Sequence, residues 1–192
     1  MTVELVVIGG SWGGFEALCE LLSALSARAS VPFVAALHRS HRTNDGTLER
    51  MLAERLQLDV VKVEDKTPLR RGCVHLAPAD YHLLIEDGSL ALSTDELVHY
   101  SRPSIDVLFE SAADEYESGV LGIILTGAND DGAAGIRRIK ANGGLTMAQD
   151  PATATKPQMP QAAIDTGDVD FVGSVPSLAD KLAELIDIEV RP

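Results

Sequence analysis

With 192 residues, 45% of them hydrophobic, the chain suits a single globular domain spanning residues 1–192. Its formal charge of −13 argues against nucleic acid and anionic membrane surfaces as partners, since phosphate binding needs a basic face. Apolar runs are too short for a transmembrane helix, and Met1-Thr2-Val3-Glu4 lacks the basic start of a signal peptide, so a cytoplasmic protein is expected. Cys19 and Cys73, each within an apolar stretch, read as buried, reduced thiols.

Leu5-Val6-Val7-Ile8 is a buried-strand pattern. The glycine-rich Gly9-Gly10-Ser11-Trp12-Gly13-Gly14 follows, and then a helix opening at Phe15. Residues 9–13 spell G-x-S-x-G, in which a tight turn thrusts a serine out at the carboxyl edge of a sheet. By itself that pentapeptide fits a structural turn equally well. Dinucleotide and P-loop fingerprints are absent, because no G-x-G-x-x-G or G-K-[ST] can be aligned here. Residues 31–37 form a second strand ending at His38. A polar loop and a helix over 47–56 follow, with Leu48, Met51, Leu52 and Leu56 on one face. Residues 59–63 are a third strand, and 71–78 hold a short strand and its stop. Residues 81–86 and 89–92, joined by Asp87-Gly88, are a hairpin. Ser101-Arg102-Pro103-Ser104 starts a helix running to Tyr116, with Val107, Leu108, Ala112 and Tyr116 facing inward. Residues 120–126, the most apolar strand, are expected at the sheet centre and end in a second glycine-rich turn bearing Asp130 and Asp131. A strand at 145–149, a proline-bearing loop to 160, a helix at 161–166, a strand at 169–172 and a helix at 177–186 complete the chain. This alternation predicts an α/β fold, three-layered and doubly wound, with a mostly parallel sheet and one antiparallel hairpin.

Three strand ends thus carry Ser11, His38 and Asp130/Asp131. A serine hydroxyl becomes a nucleophile when an imidazole accepts its proton, and the imidazole needs a carboxylate to hold its tautomer. The order Ser, His, Asp differs from that of α/β-hydrolases, so an ordinary lipase topology is not expected. A metal reading built on His38, His41 and Asp130/Asp131 has poor ligand spacing. His75 and His82 read as strand side chains.

The motifs, in order, resemble the catalytic domain of chemoreceptor protein-glutamate methylesterases. The likeness is carried by Ile8 with the 9–14 turn, the strand ending at His38, Leu76-Ala77-Pro78 through His82, and residues 102–109 (RPSIDVLF). It continues through Leu125-Thr126-Gly127 with Asp131-Gly132-Ala133-Ala134-Gly135, and Ala148-Gln149-Asp150 with Met159-Pro160-Gln161-Ala162. The resemblance implies hydrolysis of glutamate γ-methyl esters on the cytoplasmic helices of chemoreceptors, with glutamine deamidation as a related activity and no cofactor or metal. Ser11 would be the nucleophile, His38 the base and acid, and Asp131 the orienting carboxylate. Trp12, Gly13, Ala128, Arg102 and Met159 would be the oxyanion or substrate-binding residues, with the Trp12 N–H the first candidate oxyanion donor. Family members commonly carry an N-terminal receiver domain. Here the catalytic strand comes first, so a separate response regulator is the expected source of any such control. Trp12, Ala128-Asn129 and Arg39-Ser40 depart from the family pattern. Those departures keep open a non-catalytic signalling or binding module that retains the fold.

Overall fold

The computed structural model describes residues 2–25, 29–39 and 46–186. Strand β1 (Leu5–Gly10) is buried along its whole length, as its unbroken apolar pattern requires of a strand covered on both faces. The chain continues through α1 (Gly14–Ser23), the fully buried β2 (Phe33–Leu37), α2 (Thr47–Arg55) and β3 (Asp59–Lys62). The short β4 (Thr67–Pro68), β5 (Cys73–Leu76), β6 (His82–Glu86) and β7 (Ser89–Ser93) follow. The remainder is α3 (Ile105–Tyr116), the buried β8 (Val120–Ile124), α4 (Ala133–Ala141), β9 (Leu145–Gln149), α5 (Gln158–Asp165), β10 (Phe171–Gly173) and α6 (Val175–Leu185).

Among the described residues, seven strands form one parallel sheet in the order β10-β9-β8-β1-β2-β5-β3, and β4, β7 and β6 form a separate antiparallel sheet. The expected fold class holds, and the hairpin is β6–β7 with β4 added at its edge. The centre of the large sheet is β1, and the more apolar β8 lies beside it. One face packs on α1, α2 and α6 through residues such as Leu18, Leu52 and Leu182. The other packs on α3, α4, α5 and the small sheet through Ile105, Phe109, Ile136, Met159 and Leu83. No helix among the described residues is long and apolar enough to cross a membrane.

Several boundaries differ from the sequence pattern for identifiable reasons. Within the 101–104 start, Ser104 is the N-cap of α3, its own backbone extended and its side chain accepting from Val107 N. The buried face of α3 is Ile105, Leu108, Phe109 and Ala112, whereas Val107 and Tyr116 are half-buried. In α2 only Leu52 is buried; Leu48 and Met51 lie at its margin. Helix α5 begins at Gln158, since Pro157 and Pro160 fall at its N-cap and first turn, where a missing N–H costs nothing. Helix α6 begins at Val175, capped by the hydroxyl of Ser174. Cys19 and Cys73 are buried free thiols.

Candidate active site

The parity of the strands decides which side chains can meet. Leu5 and Val7 of β1, and Val34 and Ala36 of β2, belong to the core under α3. Counting onward by twos brings residues 11 and 38 to that same face of the sheet. Gly9 confirms the direction, since a Cβ there would stand 2.4 Å from Ile105 Cγ2 at the start of α3. The ladder pairs Gly10 with Leu37, and the His38 N–H donates to Gly10 O at 3.0 Å. Ser11 and His38 therefore leave neighbouring strand ends, where strand spacing is about 5 Å.

The turn carrying Ser11 is tied down on both sides. Its N–H donates to Thr126 O at 2.9 Å, and its carbonyl accepts from Gly14 N at 2.8 Å. The Thr126 hydroxyl donates to Trp12 O at 3.0 Å and accepts from Lys156 N at 2.8 Å, which fastens the turn to the 150–157 loop. Gly13 has a left-handed φ of 79°, and a Cβ there would lie 2.8 Å from Thr155 Oγ1, so only glycine makes this turn without strain. The N–H groups of Trp12 and Gly13 have no partner among the described residues, and they sit at the N-terminus of α1. Such a pair is suited to an oxyanion.

On the far side of His38 stands Asp131. His38 Nε2 lies 2.7 Å from its Oδ2, which also accepts from Ile105 N at 2.8 Å. Oδ1 accepts from the Ser104 hydroxyl and from Asp106 N, both at 2.9 Å. The carboxylate thus takes up otherwise orphaned N–H groups of α3 and faces the positive end of that helix. Burial by itself would raise the Asp131 pKa. The hydrogen bond from His38 and those from the Ile105 and Asp106 N–H groups outweigh it and hold the carboxyl below the usual range. An ionised Asp131 requires the His38 proton on Nε2 and leaves the lone pair on Nδ1. Among the described residues Nδ1 meets the hydroxyl of Ser101, at 3.3 Å, and no hydrogen bond joins it to Ser11.

Asp106 mirrors Asp131. Its Oδ1 accepts from Gly132 N at 2.9 Å and Gly135 N at 2.7 Å, so it caps α4 while Asp131, just ahead of α4, caps α3. His99 lies between Asp106 and Asp130, at 3.4 and 3.2 Å. Burial, helped by the charge of Asp131, raises the Asp106 pKa to about 6 against the opposing N–H of Gly135 and His99. A raised acid contributes stability that is complete below the ordinary carboxyl range and is lost as pH rises through about 6. We expect Asp106→Asn, which keeps one acceptor oxygen, to remove this component. Denaturant midpoints measured between pH 4 and 7 should fall less steeply in the variant than in the parent protein.

The other predicted site residues divide by exposure. Trp12 is 66% exposed at the rim, with the Lys156 ammonium 5.8 Å from its ring centroid, and Ala128 is exposed nearby. The Arg102 guanidinium is engaged by Asp80 at 2.7 Å and by the carbonyls of Thr94 and Asp95 at 2.7 and 2.9 Å, so it fastens the approach to α3. Met159 is 1% exposed and packs beneath Gly127, supporting the loop from below. Asp130 is exposed. Arg39 ties the residue after His38 to Glu49 at 3.0 Å and to Ala77 O. His75 and His82 are buried strand histidines with both ring nitrogens engaged. His41 lies outside the described residues. His99, Asp106 and Asp131 do bring ligand-type atoms within 4.8 Å of one another, but both oxygens of Asp131 and one of Asp106 already accept two hydrogen bonds each. That donor set fits paired helix caps better than a metal cage.

Sequence reasoning passed over Ser104, Asp106, His99 and Ser101. A serine directly ahead of an apolar helix was a usable signal for Ser104 as a cap.

The CheB methylesterase family model matches residues 6–182. The chain belongs to the CheB methylesterase family. Within that family it is 44% identical over 186 residues to a putative protein-glutamate methylesterase/protein-glutamine glutaminase of Leptospira interrogans, covering 96% of this chain and 94% of the relative. It is 40% identical to protein-glutamate methylesterase/protein-glutamine glutaminase 2 of Anaeromyxobacter dehalogenans, of which it spans about half, 53%. The crystal structure of the Thermotoga maritima CheB methylesterase catalytic domain superposes with a TM-score of 0.90 at 30% identity, covering 96% of this chain and 100% of that one.

Proposed function

We propose that the chain is a serine-type protein-glutamate methylesterase that also deamidates protein glutamine, acting on the cytoplasmic helices of chemoreceptors. The observation that carries the reading is the His38–Asp131 contact of 2.7 Å at the end of β2, beside the Ser11 turn, whose Trp12 and Gly13 N–H groups have no partner among the described residues. Family membership and the names of the relatives support the same reaction.

The chemistry follows from the tautomer. Nδ1 of His38 takes the Ser11 proton as Oγ adds to the ester carbonyl carbon, and the oxyanion falls to the N–H groups of Trp12 and Gly13. Asp131 stabilises the resulting imidazolium through Nε2. The Nδ1 proton then passes to the departing methoxide, the C–O bond breaks, and methanol leaves an acyl-enzyme on Ser11. Water, deprotonated by Nδ1, opens the acyl-enzyme to give the glutamate carboxyl and restores the serine. With glutamine the leaving group is ammonia. These steps call on no cofactor. Of Ser11 and Ser101, Ser11 is the better nucleophile, because the N–H groups of the two residues after it have no partner among the described residues and can meet an oxyanion, whereas Pro103, two residues after Ser101, has no N–H to offer.

A fluorophosphonate probe should label Ser11 and abolish methanol release from methylated receptor; labelling without loss of release would refute the assignment. Trp12, a large exposed ring next to the nucleophile, is the proposed contact for the substrate helix. Trp12→Ala should raise KM for methylated receptor about tenfold, the loss common for an exposed aromatic anchor. An unchanged KM would remove the side chain from the binding surface.

A further inference from the structure

We propose that Ser101 is a positioning residue for His38, holding the ring's basic nitrogen away from Ser11 until a substrate is docked. The inference rests on the roles of Ser11 and His38 given above. Because Asp131 takes Nε2, the one lone pair of the neutral ring is on Nδ1, and the hydroxyl 3.3 Å from it is that of Ser101. A ring nitrogen has one lone pair in the ring plane, so Ser11 and Ser101 compete for it. In this arrangement Ser101 has it.

The surroundings allow the contact to be released at little cost. The Ser101 hydroxyl lies 3.5 Å from the His99 carbonyl, a second acceptor to which its proton can turn, so it need not be left unpaired when Nδ1 moves to Ser11. Ser101 closes a tight turn, with Val98 N donating to Ser101 O at 3.2 Å and Ser101 N to Val98 O at 2.8 Å. The two residues between them, His99 and Tyr100, have φ of 48° and 59°, a left-handed backbone that non-glycine residues adopt under strain. The turn also presents exposed apolar side chains near the site. Tyr100 is 97% and Leu97 56% exposed, and with Ser101, Arg102 and His38 they line a cleft of about 170 Å³. A receptor helix laid on Leu97 and Tyr100 therefore bears on the turn that carries the competing hydroxyl. Small esters, which do not reach that turn, meet a base that is still occupied. The arrangement favours a docked protein substrate over free ester.

The test is the rate at which a small fluorophosphonate labels Ser11 in the parent protein, Ser101→Ala and Ser101→Thr. Ser101→Ala should label about threefold to tenfold faster, the factor that one neutral hydrogen bond represents. Ser101→Thr, which keeps a hydroxyl, should label at close to the parental rate. The ¹⁵N resonance of His38 Nδ1 should move in the alanine variant and stay in place in the threonine variant. Damage to the fold lowers reactivity, so a rise reports the competition itself. A Ser101→Ala rate at or below the parental value overturns the inference while leaving the assignment of Ser11 intact. A label found on Ser101 instead of Ser11 in the parent protein overturns that assignment, and the inference with it.

Discussion

Ser11→Ala should lower kcat for methanol release from methylated receptor by about 10⁴-fold or more, the loss typical when the nucleophile of a triad is removed. The residue is half-buried at the end of β1, and its backbone, not its hydroxyl, makes the contacts that fasten the turn. Stability should therefore change by no more than about 0.5 kcal/mol, as for substitutions that break no buried contact. That combination separates a chemical role from a structural one. Residual activity should come from the Trp12 and Gly13 N–H groups, which the substitution leaves in place. Methanol release at near the parental rate in Ser11→Ala, together with its loss in Ser101→Ala, would transfer the nucleophile to Ser101. The His38–Asp131 pair would then serve a different hydroxyl.

Asp131→Asn is expected to damage activity and stability together. Each carboxylate oxygen accepts two hydrogen bonds, Oδ1 from Ser104 and Asp106 N, and Oδ2 from His38 and Ile105 N. An amide presents its NH₂ to one of these pairs whichever way it turns. Facing Oδ2's partners, it opposes the Ile105 N–H and forces the His38 proton onto Nδ1, which removes the base. Facing Oδ1's partners, it opposes the Asp106 N–H at the buried start of α3. We expect kcat to fall by about 10³ to 10⁴-fold and unfolding free energy by about 2–5 kcal/mol, the range for an unmatched buried charge or donor. The pH signature has a definite sign. The lowered Asp131 pKa contributes stability above the ordinary carboxyl range, and that stability is lost as pH falls through the folded-state value. Acid unfolding of the parent protein should contain this component, and Asp131→Asn should lack it. A variant as stable and as active as the parent at neutral pH would contradict the capping arrangement.

The site was only partly legible in the residue pattern. Ser11 stood out because it is the serine of a G-x-S-x-G turn between an apolar strand and a helix, a pattern that alone fits a structural turn equally well, and His38 because it ends a strand directly. Asp131 was separable from Asp130 only by likeness to the family motif, since two adjacent acids at a helix start are locally equivalent. Burial separates them, with Asp131 enclosed under α3 and Asp130 in solvent. Arg102 and Met159 sit in matching motifs yet act as a brace and a packed support, because what a side chain touches depends on segments remote in the chain. The exchange of caps between α3 and α4 joins residues 25 or more positions apart. No local pattern encodes it.

By itself the sequence determined the fold class. Hydrophobic period, turn glycines and strand-helix alternation are local properties, and strands apolar on both faces that alternate with helices are buried in a parallel sheet covered by those helices. It also determined which strand ends carry a hydroxyl, an imidazole and a carboxylate. Only the tertiary structure decided the side-by-side setting of β1 and β2, the helix terminus that keeps Asp131 ionised, and the tautomer this imposes on His38. It alone decided that the lone pair so created faces Ser101. Such choices depend on distances of a few ångströms between segments that the chain keeps far apart, and one-dimensional pattern holds no record of them.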